Sequence, residues 1–250
     1  MLLCSDNPAS RILYHHLHRR FGELSVVQEE PVPQRTLLRR RASRLGLRRV
    51  AGQLLFRIVV VPWLMRRGRD RVAEIMRRFE LDDAPMKGVR RVRSMNDEEA
   101  RALLRELHPA ITVVCGTRIL STDTLDALNG PVVNFHAGIT PLYRGVHGGY
   151  WALAEGRTNL VGSTLHLVDP GIDTGDIVAQ ATFEVTAKDS FATYPYLHVA
   201  AVLPLLDDAV ERALAGEELH GRPPADGMAS KLRTHPTLAE YVRHARAGVR

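Results

Sequence analysis

Between residues 111 and 136 the chain reads ITVVCGTRILSTDTLDALNGPVVNFH, and the fold class can be inferred from these residues. Its two apolar runs, 111–115 and 132–136, are rich in β-branched residues and long enough to form strands. Strands of this composition are typical of a central sheet that is covered on both faces. A short helical pattern around 125–128 and an Asn-Gly turn lie between the two runs. The stretch therefore predicts two buried strands separated by a short helix.

The same alternation of strands and helices extends in both directions. A short apolar run at 2–4 leads into a helical pattern with Asp6 or Asn7 as its N-cap and Pro8 near its first turn. The other predicted strands and helices are found at residues 24–27, 89–92, 94–107, 163–168, 177–185 and about 191–214. Strands that alternate with helices predict an α/β fold with a mostly parallel central sheet flanked by helices.

The composition is that of an ordinary globular domain. The chain has 250 residues, 45% of them hydrophobic and 25% charged, which excludes disordered, collagen-like and coiled-coil proteins. Its two cysteines, Cys4 and Cys115, form neither a disulfide framework nor a zinc motif, so no metal site is expected. No secretory leader pattern follows Met1, and the longest nearly apolar stretch, 54–65, is too short to cross a bilayer. We therefore expect a cytoplasmic protein.

The net charge of +6 is unevenly distributed along the chain. Residues 35–93 contain eighteen basic and five acidic side chains, so the remainder of the chain is acidic overall. Such a segment indicates an anionic partner without choosing among phosphate, lipid and nucleic acid. Two interpretations of this basic, mostly helical segment stay open. Its helices either cover the sheet, or use the run at 54–65 to rest on an anionic membrane or a partner protein.

Polar residues that could carry chemistry concentrate between Asn134 and Asp176. Asn134 and His136 are two residues apart at a strand end, so their side chains leave the same face. Asp173 follows on a glycine-rich turn. An amide donor, an imidazole and a carboxylate are the groups needed for acyl transfer, because they can stabilise an oxyanion and move a proton. The alternative is that these side chains only form hydrogen bonds with backbone groups of the loops.

Four motifs in a fixed order add a family resemblance. They are Asn134-x-His136, Pro141-x-x-Arg144-Gly145, Gly162-x-Thr164-x-His166 and Gly171-Ile172-Asp173-Thr174-Gly175. The set resembles the folate-dependent formyltransferase family, which includes glycinamide ribonucleotide, methionyl-tRNA and sugar-nucleotide N-formyltransferases. The resemblance implies a Rossmann-like formyltransferase fold. It places the catalytic domain at 1–215, interrupted by a basic helical insertion at about 31–85, and leaves 216–250 as a C-terminal tail with a short helix.

The resemblance also implies roles for individual residues. Asn134, His136 and Asp173 fall on the catalytic Asn, His and Asp of the family, which uses 10-formyltetrahydrofolate as formyl donor and a primary amine as acceptor. Thr164 and His166 fall on positions that line the same site. The residues expected to bind the folate are Arg118, Ile119, Leu120, Val168, Asp169 and Gly171, and those expected near the acceptor are Ser5, Asn7, Gly138 and His147.

Two differences from the family pattern restrict the range of acceptors that we expect. The first loop, residues 5–8, has no glycine, so a substrate phosphate could not approach its backbone closely and glycinamide ribonucleotide is a poor candidate. About 36 residues follow Leu214, too few for the C-terminal domain of the tRNA enzyme. We expect N-formyl transfer to a small-molecule amine, such as an amino sugar, a sugar nucleotide or a natural-product intermediate, with no nucleic acid partner. A formyltetrahydrofolate hydrolase, a non-catalytic relative that binds an acidic partner, and a homodimer all stay open.

Overall fold

A seven-stranded sheet forms the centre of the computed structural model, which describes residues 1–224 and 230–249. Its strand order is β3-β2-β1-β4-β5-β7-β8. The strands are β1 Leu2–Cys4, β2 Val26–Glu29, β3 Val89–Val92, β4 Thr112–Cys115, β5 Val132–His136, β7 Gly162–Leu167 and β8 Ile177–Thr182. The first five are parallel, while β7 runs antiparallel to both β5 and β8. The predicted α/β fold with a mostly parallel sheet is confirmed.

Helices cover both faces of this sheet. They are α1 Pro8–Phe21, α6 Glu98–Leu107, α7 Thr122–Asp126, α8 Gly148–Ala154 and α9 Tyr194–Leu214. Because side chains alternate along a strand, Leu2 and Cys4 pack in one core with α1 and α9, whereas Leu3 packs in another with α6. The strands are thus buried on both sides, which explains why their sequences are continuously apolar instead of alternating.

Four helices make up the basic insertion. They are α2 Gln34–Leu45, α3 Leu47–Leu55, α4 Val61–Arg67 and α5 Arg69–Arg78. A π-helical turn at Phe56–Val60 joins α3 to α4, so that one helix runs from Leu47 to Arg67. Pro62 lacks an N–H and crowds the carbonyl four residues earlier, which explains a widened turn directly before it. Within the described residues, no helix is long and apolar enough to span a membrane.

The insertion covers the sheet only in part. Ile75 of α5 joins the core of α1 and α9. By contrast, Phe56 and Leu64 of the long helix pack in a separate cluster with Tyr150 and Tyr241, away from the sheet. The expectation that these helices cover the sheet therefore holds for α5 and is wrong for the helix at 47–67.

The C-terminal segment is packed against the rest of the protein. Its strand β9, Lys231–Arg233, pairs in parallel with β6, Tyr143–Gly145. Its helix α10, Leu238–Arg246, begins with a capping box between Thr237 and Glu240 and contacts α3. Two predicted boundaries shift by a few residues, since β8 ends at Thr182 and α9 begins at Tyr194.

Candidate active site

A cavity of about 510 Å³ opens at the carboxyl ends of β1, β4 and β5. In an open parallel sheet this edge, where the strand order reverses between β1 and β4, is where ligands bind. Side chains and backbone from four loops line it, and its walls combine apolar and polar groups. The lining residues include Asn7, Gly116, Thr117, Arg118, Ile119, Leu120, Asn134, His136, Gly145, Val146, His166, Val168, Asp169, Gly171, Ile172 and Asp173.

Strand register brings the first two polar side chains together. Asn134 on β5 is paired with His166 on β7, and the Asn134 Nδ2 lies 3.0 Å from the His166 Nε2. The other ring nitrogen of His166, Nδ1, lies 2.7 Å from the Leu167 carbonyl oxygen, which can only accept. His166 therefore carries its proton on Nδ1 and accepts the Asn134 amide at Nε2. The second N–H of that amide remains for a ligand.

His136 is held in the opposite tautomer. Its Nε2 lies 2.6 Å from the Tyr143 carbonyl oxygen and must donate to it. Its Nδ1 faces the Asp173 Oδ1 at 3.3 Å. Burial lowers the pKa of His136, although the Asp173 charge opposes this. The ring is thus neutral near pH 7, and its Nδ1 lone pair is available beside a carboxylate.

Asp173 is placed by the glycine-rich turn. Its backbone has a left-handed φ of 51°, and its Oδ2 accepts the Gly145 backbone N–H at 2.7 Å. Burial raises the pKa of this carboxyl. His166 and His136, when their rings are protonated, and the Gly145 N–H oppose this effect and together hold the pKa below its usual value. Asp173 is therefore ionised, partly buried and within reach of both histidines.

The arrangement combines two functions needed for acyl transfer. An oriented amide N–H of Asn134 can stabilise negative charge that develops on a carbonyl oxygen. The pair of His136 Nδ1 and Asp173 Oδ1 can take up one proton and return it. Thr164 plays no such part, because its hydroxyl is fully buried and bonded to the Gly138 carbonyl and the Thr140 N–H.

Comparison with known proteins identifies the family. The formyl transferase family model matches residues 66–196, just over half of the chain. The chain belongs to the formyl transferase family. The match begins near the end of α4, so it leaves out most of the basic insertion. The resemblance noted from the sequence motifs is confirmed.

Individual relatives of this formyl transferase differ in their acceptors. A methionyl-tRNA formyltransferase from Pelotomaculum thermopropionicum is 32% identical over 156 residues, which cover 61% of this chain and 49% of that protein. The structure of a candidate sugar N-formyltransferase from Mycobacterium tuberculosis aligns with a TM-score of 0.60 at 17% identity, covering 98% of this chain and 85% of the other. An N-formyltransferase from Helicobacter canadensis, in complex with folinic acid and dTDP-3-aminofucose, aligns with a TM-score of 0.52 at 13% identity, covering 93% and 69%.

The chain spans about half the length of the curated relatives it matches. At identities below one fifth, the solved structures show the same fold and nothing finer. The substrates of this formyl transferase are therefore a matter for proposal.

All six residues predicted to bind the folate line the cavity. Arg118 does so through its backbone, because its side chain turns away to donate to the Glu30 and Arg93 carbonyls. Asn96 holds the same loop by donating to the Ile119 carbonyl at 2.9 Å. Asp169 fixes the opposite turn by accepting the Gly171 N–H and the Thr174 hydroxyl. Two turns held in this way form a slot with backbone walls.

The structure brings one of the four predicted acceptor residues to the cavity. Asn7 lines it while capping α1, and Ser5 supports Asn7 through a 3.1 Å hydrogen bond. Gly138 lies behind the site, where a Cβ would come within 2.7 Å of the His136 Nε2. His147 turns away from the cavity, with its Nε2 2.8 Å from the His235 Nδ1 and its ring against Phe191. Ser5, Gly138 and His147 do not line the cavity, and their contact with the acceptor stays a prediction.

Sequence reasoning missed several features of the site. The Gly145 N–H holds Asp173, a role that the sequence motif containing Gly145 does not indicate. Val146 and Ile172 line the cavity while remaining over one third exposed, which gives its mouth an apolar rim. An isoleucine directly after Gly171, in an exposed turn, is the signal that could have indicated this.

A second cavity, of about 590 Å³, lies between α4, α10 and residues 187–190. Its carboxylate, Asp189, is already paired with Arg71 at 2.8 Å and accepts the Thr186 hydroxyl. The catalytic candidates line the other cavity, so we place the chemistry there.

Proposed function

We propose that this protein transfers a formyl group from 10-formyltetrahydrofolate to a primary amine of a small-molecule acceptor. The observation that carries the proposal is the convergence of Asn134, His136 and Asp173 on one cavity of a formyl transferase. The Helicobacter canadensis relative, crystallised with folinic acid and an aminosugar nucleotide, supports both the donor class and the acceptor class.

The residues of the cavity fit a folate. A pterin is flat, with polar edges and apolar faces. The slot between residues 116–120 and 168–173 offers backbone groups at its walls, and Ile119 and Ile172 at its mouth are partly exposed apolar side chains. Bound there, a formylated folate would supply an activated formyl carbon and a leaving nitrogen.

The protein's own groups then have defined tasks. As the bond from the amine nitrogen to the formyl carbon forms, the free N–H of Asn134 donates to the formyl oxygen, where negative charge develops. The amine loses one proton, and the leaving nitrogen gains one when its bond to the formyl carbon breaks. His136, with Asp173 stabilising its protonated form, can accept the first proton and return it. The transfer is balanced without any further reactant.

The decisive experiment is to incubate the protein with 10-formyltetrahydrofolate and a pool of amine metabolites, including aminosugar nucleotides. Mass spectrometry should find a product heavier by one formyl group. A parallel incubation without amine measures free formate. Formate released equally fast without amine would establish a hydrolase instead, and neither product would favour a non-catalytic relative.

A further inference from the structure

The long helix of the basic insertion leaves its outer surface apolar. Among the described residues, fourteen large hydrophobic side chains are exposed, and six of them fall between Leu47 and Met65. We call five of these the apolar patch: Leu55, Ile58, Val59, Trp63 and Met65. Ile58 is 69% exposed and Trp63 is 51% exposed. Such a concentration on one helix is far from the scattered exposure that a monomer surface normally shows.

The opposite face of the same helix is fully occupied. Val50, Phe56 and Leu64 are buried, the last two in the cluster with Tyr150 and Tyr241, and Gln53 donates to the His235 carbonyl at 2.7 Å. The helix is therefore fixed in one orientation on the protein. Its apolar patch cannot turn inward without breaking that packing, so something outside the fold must cover the patch.

The charges around the apolar patch indicate what covers it. Within the described residues, twelve arginines of the insertion have no carboxylate partner within 4 Å: Arg35, Arg39, Arg40, Arg41, Arg44, Arg48, Arg57, Arg66, Arg67, Arg69, Arg77 and Arg78. The helix α2, which carries five of them, has no buried residue at all. Guanidinium groups bind phosphate oxygens in pairs and are weakly hydrated, which suits them to a phosphate-bearing surface.

We propose that the apolar patch and its arginines form a peripheral binding surface for an anionic lipid bilayer. A helix lying in the interface inserts apolar side chains at the acyl boundary while cationic side chains meet the lipid phosphates. Nucleic acid would use the arginines but not the patch, and a protein partner would require acidic groups opposite all of them. Trp63, with the Arg67 guanidinium stacked on its ring, is the type of side chain that lies at the headgroup level.

Flotation with lipid vesicles tests this surface. The full-length protein should bind vesicles of phosphatidylcholine mixed with phosphatidylglycerol about tenfold or more tightly than vesicles of phosphatidylcholine alone. High salt should weaken the binding. Trp63 fluorescence should shift to the blue and be quenched by brominated lipid, and a Trp63→Phe variant should lose both signals, since Trp151 is buried.

Matched variants distinguish vesicle binding through the apolar patch from nonspecific adsorption of the protein. Ile58→Asp and Val59→Asp should each reduce vesicle binding by about tenfold, because a carboxylate cannot enter the acyl boundary. Leu214→Asp, at an equally exposed position on α9, should bind as the unmodified protein does. All three sites are exposed, so thermal melts should be unchanged. Arg39→Gln combined with Arg40→Gln should weaken binding to anionic vesicles only.

Three results would overturn the proposal. One is the absence of binding to anionic vesicles, and another is binding by Ile58→Asp at the level of the Leu214→Asp control. The third is a dimer that Ile58→Asp dissociates while vesicles remain unbound, which would make the patch a contact between two copies. The formyl transfer assay uses no lipid, so this proposal and the proposed function fail independently.

Discussion

At the scale of single residues, the candidate site depends on which nitrogen of each histidine carries the proton. Two carbonyl oxygens decide this: Tyr143 for His136, and Leu167 for His166. The two rings therefore present their basic nitrogens to Asp173 and Asn134 respectively. A site with the opposite tautomers would lose both the oriented amide and the proton acceptor.

Nitrogen-15 NMR can observe these tautomers directly. At neutral pH, His136 should show a protonated Nε2 and His166 a protonated Nδ1. Because burial lowers the pKa of His136, its ring should stay neutral as the pH falls through 6.5, the usual pKa of a free histidine. A His136 that titrates at or above 6.5 would contradict this account of the site.

Removal of the candidate acid–base groups should strongly reduce turnover while leaving the fold intact. His136→Ala and Asp173→Asn should each reduce the rate of formyl transfer by about 100-fold or more, since positioned acid–base groups contribute on this order. Folate binding, measured by fluorescence or calorimetry, should survive because the predicted folate-binding residues at 118–120 and 168–171 are unchanged. His220→Ala and Asp208→Asn, at exposed positions, serve as controls. Near-normal rates in both site variants would refute the mechanism.

The sequence indicated part of this site and missed the rest for a physical reason. Asn134 and His136 share a strand face, so their proximity follows from the twofold period of a strand. The direction of His147 depends instead on His235, which is 88 residues away and pairs with it through tertiary packing. A motif places a residue on a loop, whereas contacts that are distant in sequence decide where its side chain points.

At the scale of elements, the strands were the easiest part to predict. Their apolar runs occur because both faces of the sheet are buried. The pairing of β6 with β9 was beyond prediction, since three-residue strands carry little pattern and join segments about 88 residues apart. The long helix of the insertion was ambiguous for another reason. Its buried and exposed faces are both apolar, so periodicity alone cannot separate core from patch.

Gln53 makes a buried polar contact that docks this helix. It is 2% exposed, and its Nε2 donates to the His235 carbonyl and the Thr234 hydroxyl. Gln53→Met keeps the volume but leaves the carbonyl without its donor, which should cost about 1–3 kcal/mol in free energy of unfolding. Urea denaturation measures this. Trypsin should also cleave the arginine-rich insertion faster.

A substitution on the exposed side of the same helix provides the comparison. Leu47→Gln, at a position 77% exposed, should leave both the urea midpoint and the rate of tryptic cleavage unchanged. If Gln53→Met behaves like Leu47→Gln, then the hydrogen bonds of Gln53 do not hold the insertion in place.

At the scale of the whole molecule, one set of contacts joins the insertion to the candidate site. Gln53 contacts the His235 backbone, His235 pairs with His147, and two residues before His147 the Gly145 N–H holds Asp173. The C-terminal segment strengthens this connection, because the Val146 N–H donates to the Arg233 carbonyl. Insertion, tail and catalytic loop thus form a continuous network, and the buried histidines within it make its stability sensitive to acid.

His198 shows how this sensitivity arises. Its ring is 3% exposed, its Nδ1 lies 3.0 Å from the Ser163 hydroxyl, and burial lowers its pKa to about 3. Burial likewise lowers the pKa of His235 to about 4. Below pH 6.5 the unfolded chain therefore binds protons that the folded protein cannot, and the free energy of unfolding falls as the pH falls.

Urea denaturation at pH 7 and pH 5 should reveal this loss. Each pH unit below 6.5 costs about 1.4 kcal/mol for one such histidine, so His198 alone should account for about 2 kcal/mol between these two pH values. Carboxylates that form ion pairs contribute little to the change in free energy of unfolding between pH 7 and pH 5, because their pKa values lie below this range. His198→Gln will be less stable at pH 7, yet it should lose about 2 kcal/mol less than the unmodified protein on acidification. His220→Gln, at an exposed position, serves as the control. Two results would contradict this account: equal stability of the unmodified protein at both pH values, or an unchanged loss of stability in His198→Gln. Either result would show that the folded protein accepts protons at His198 as readily as the unfolded chain does.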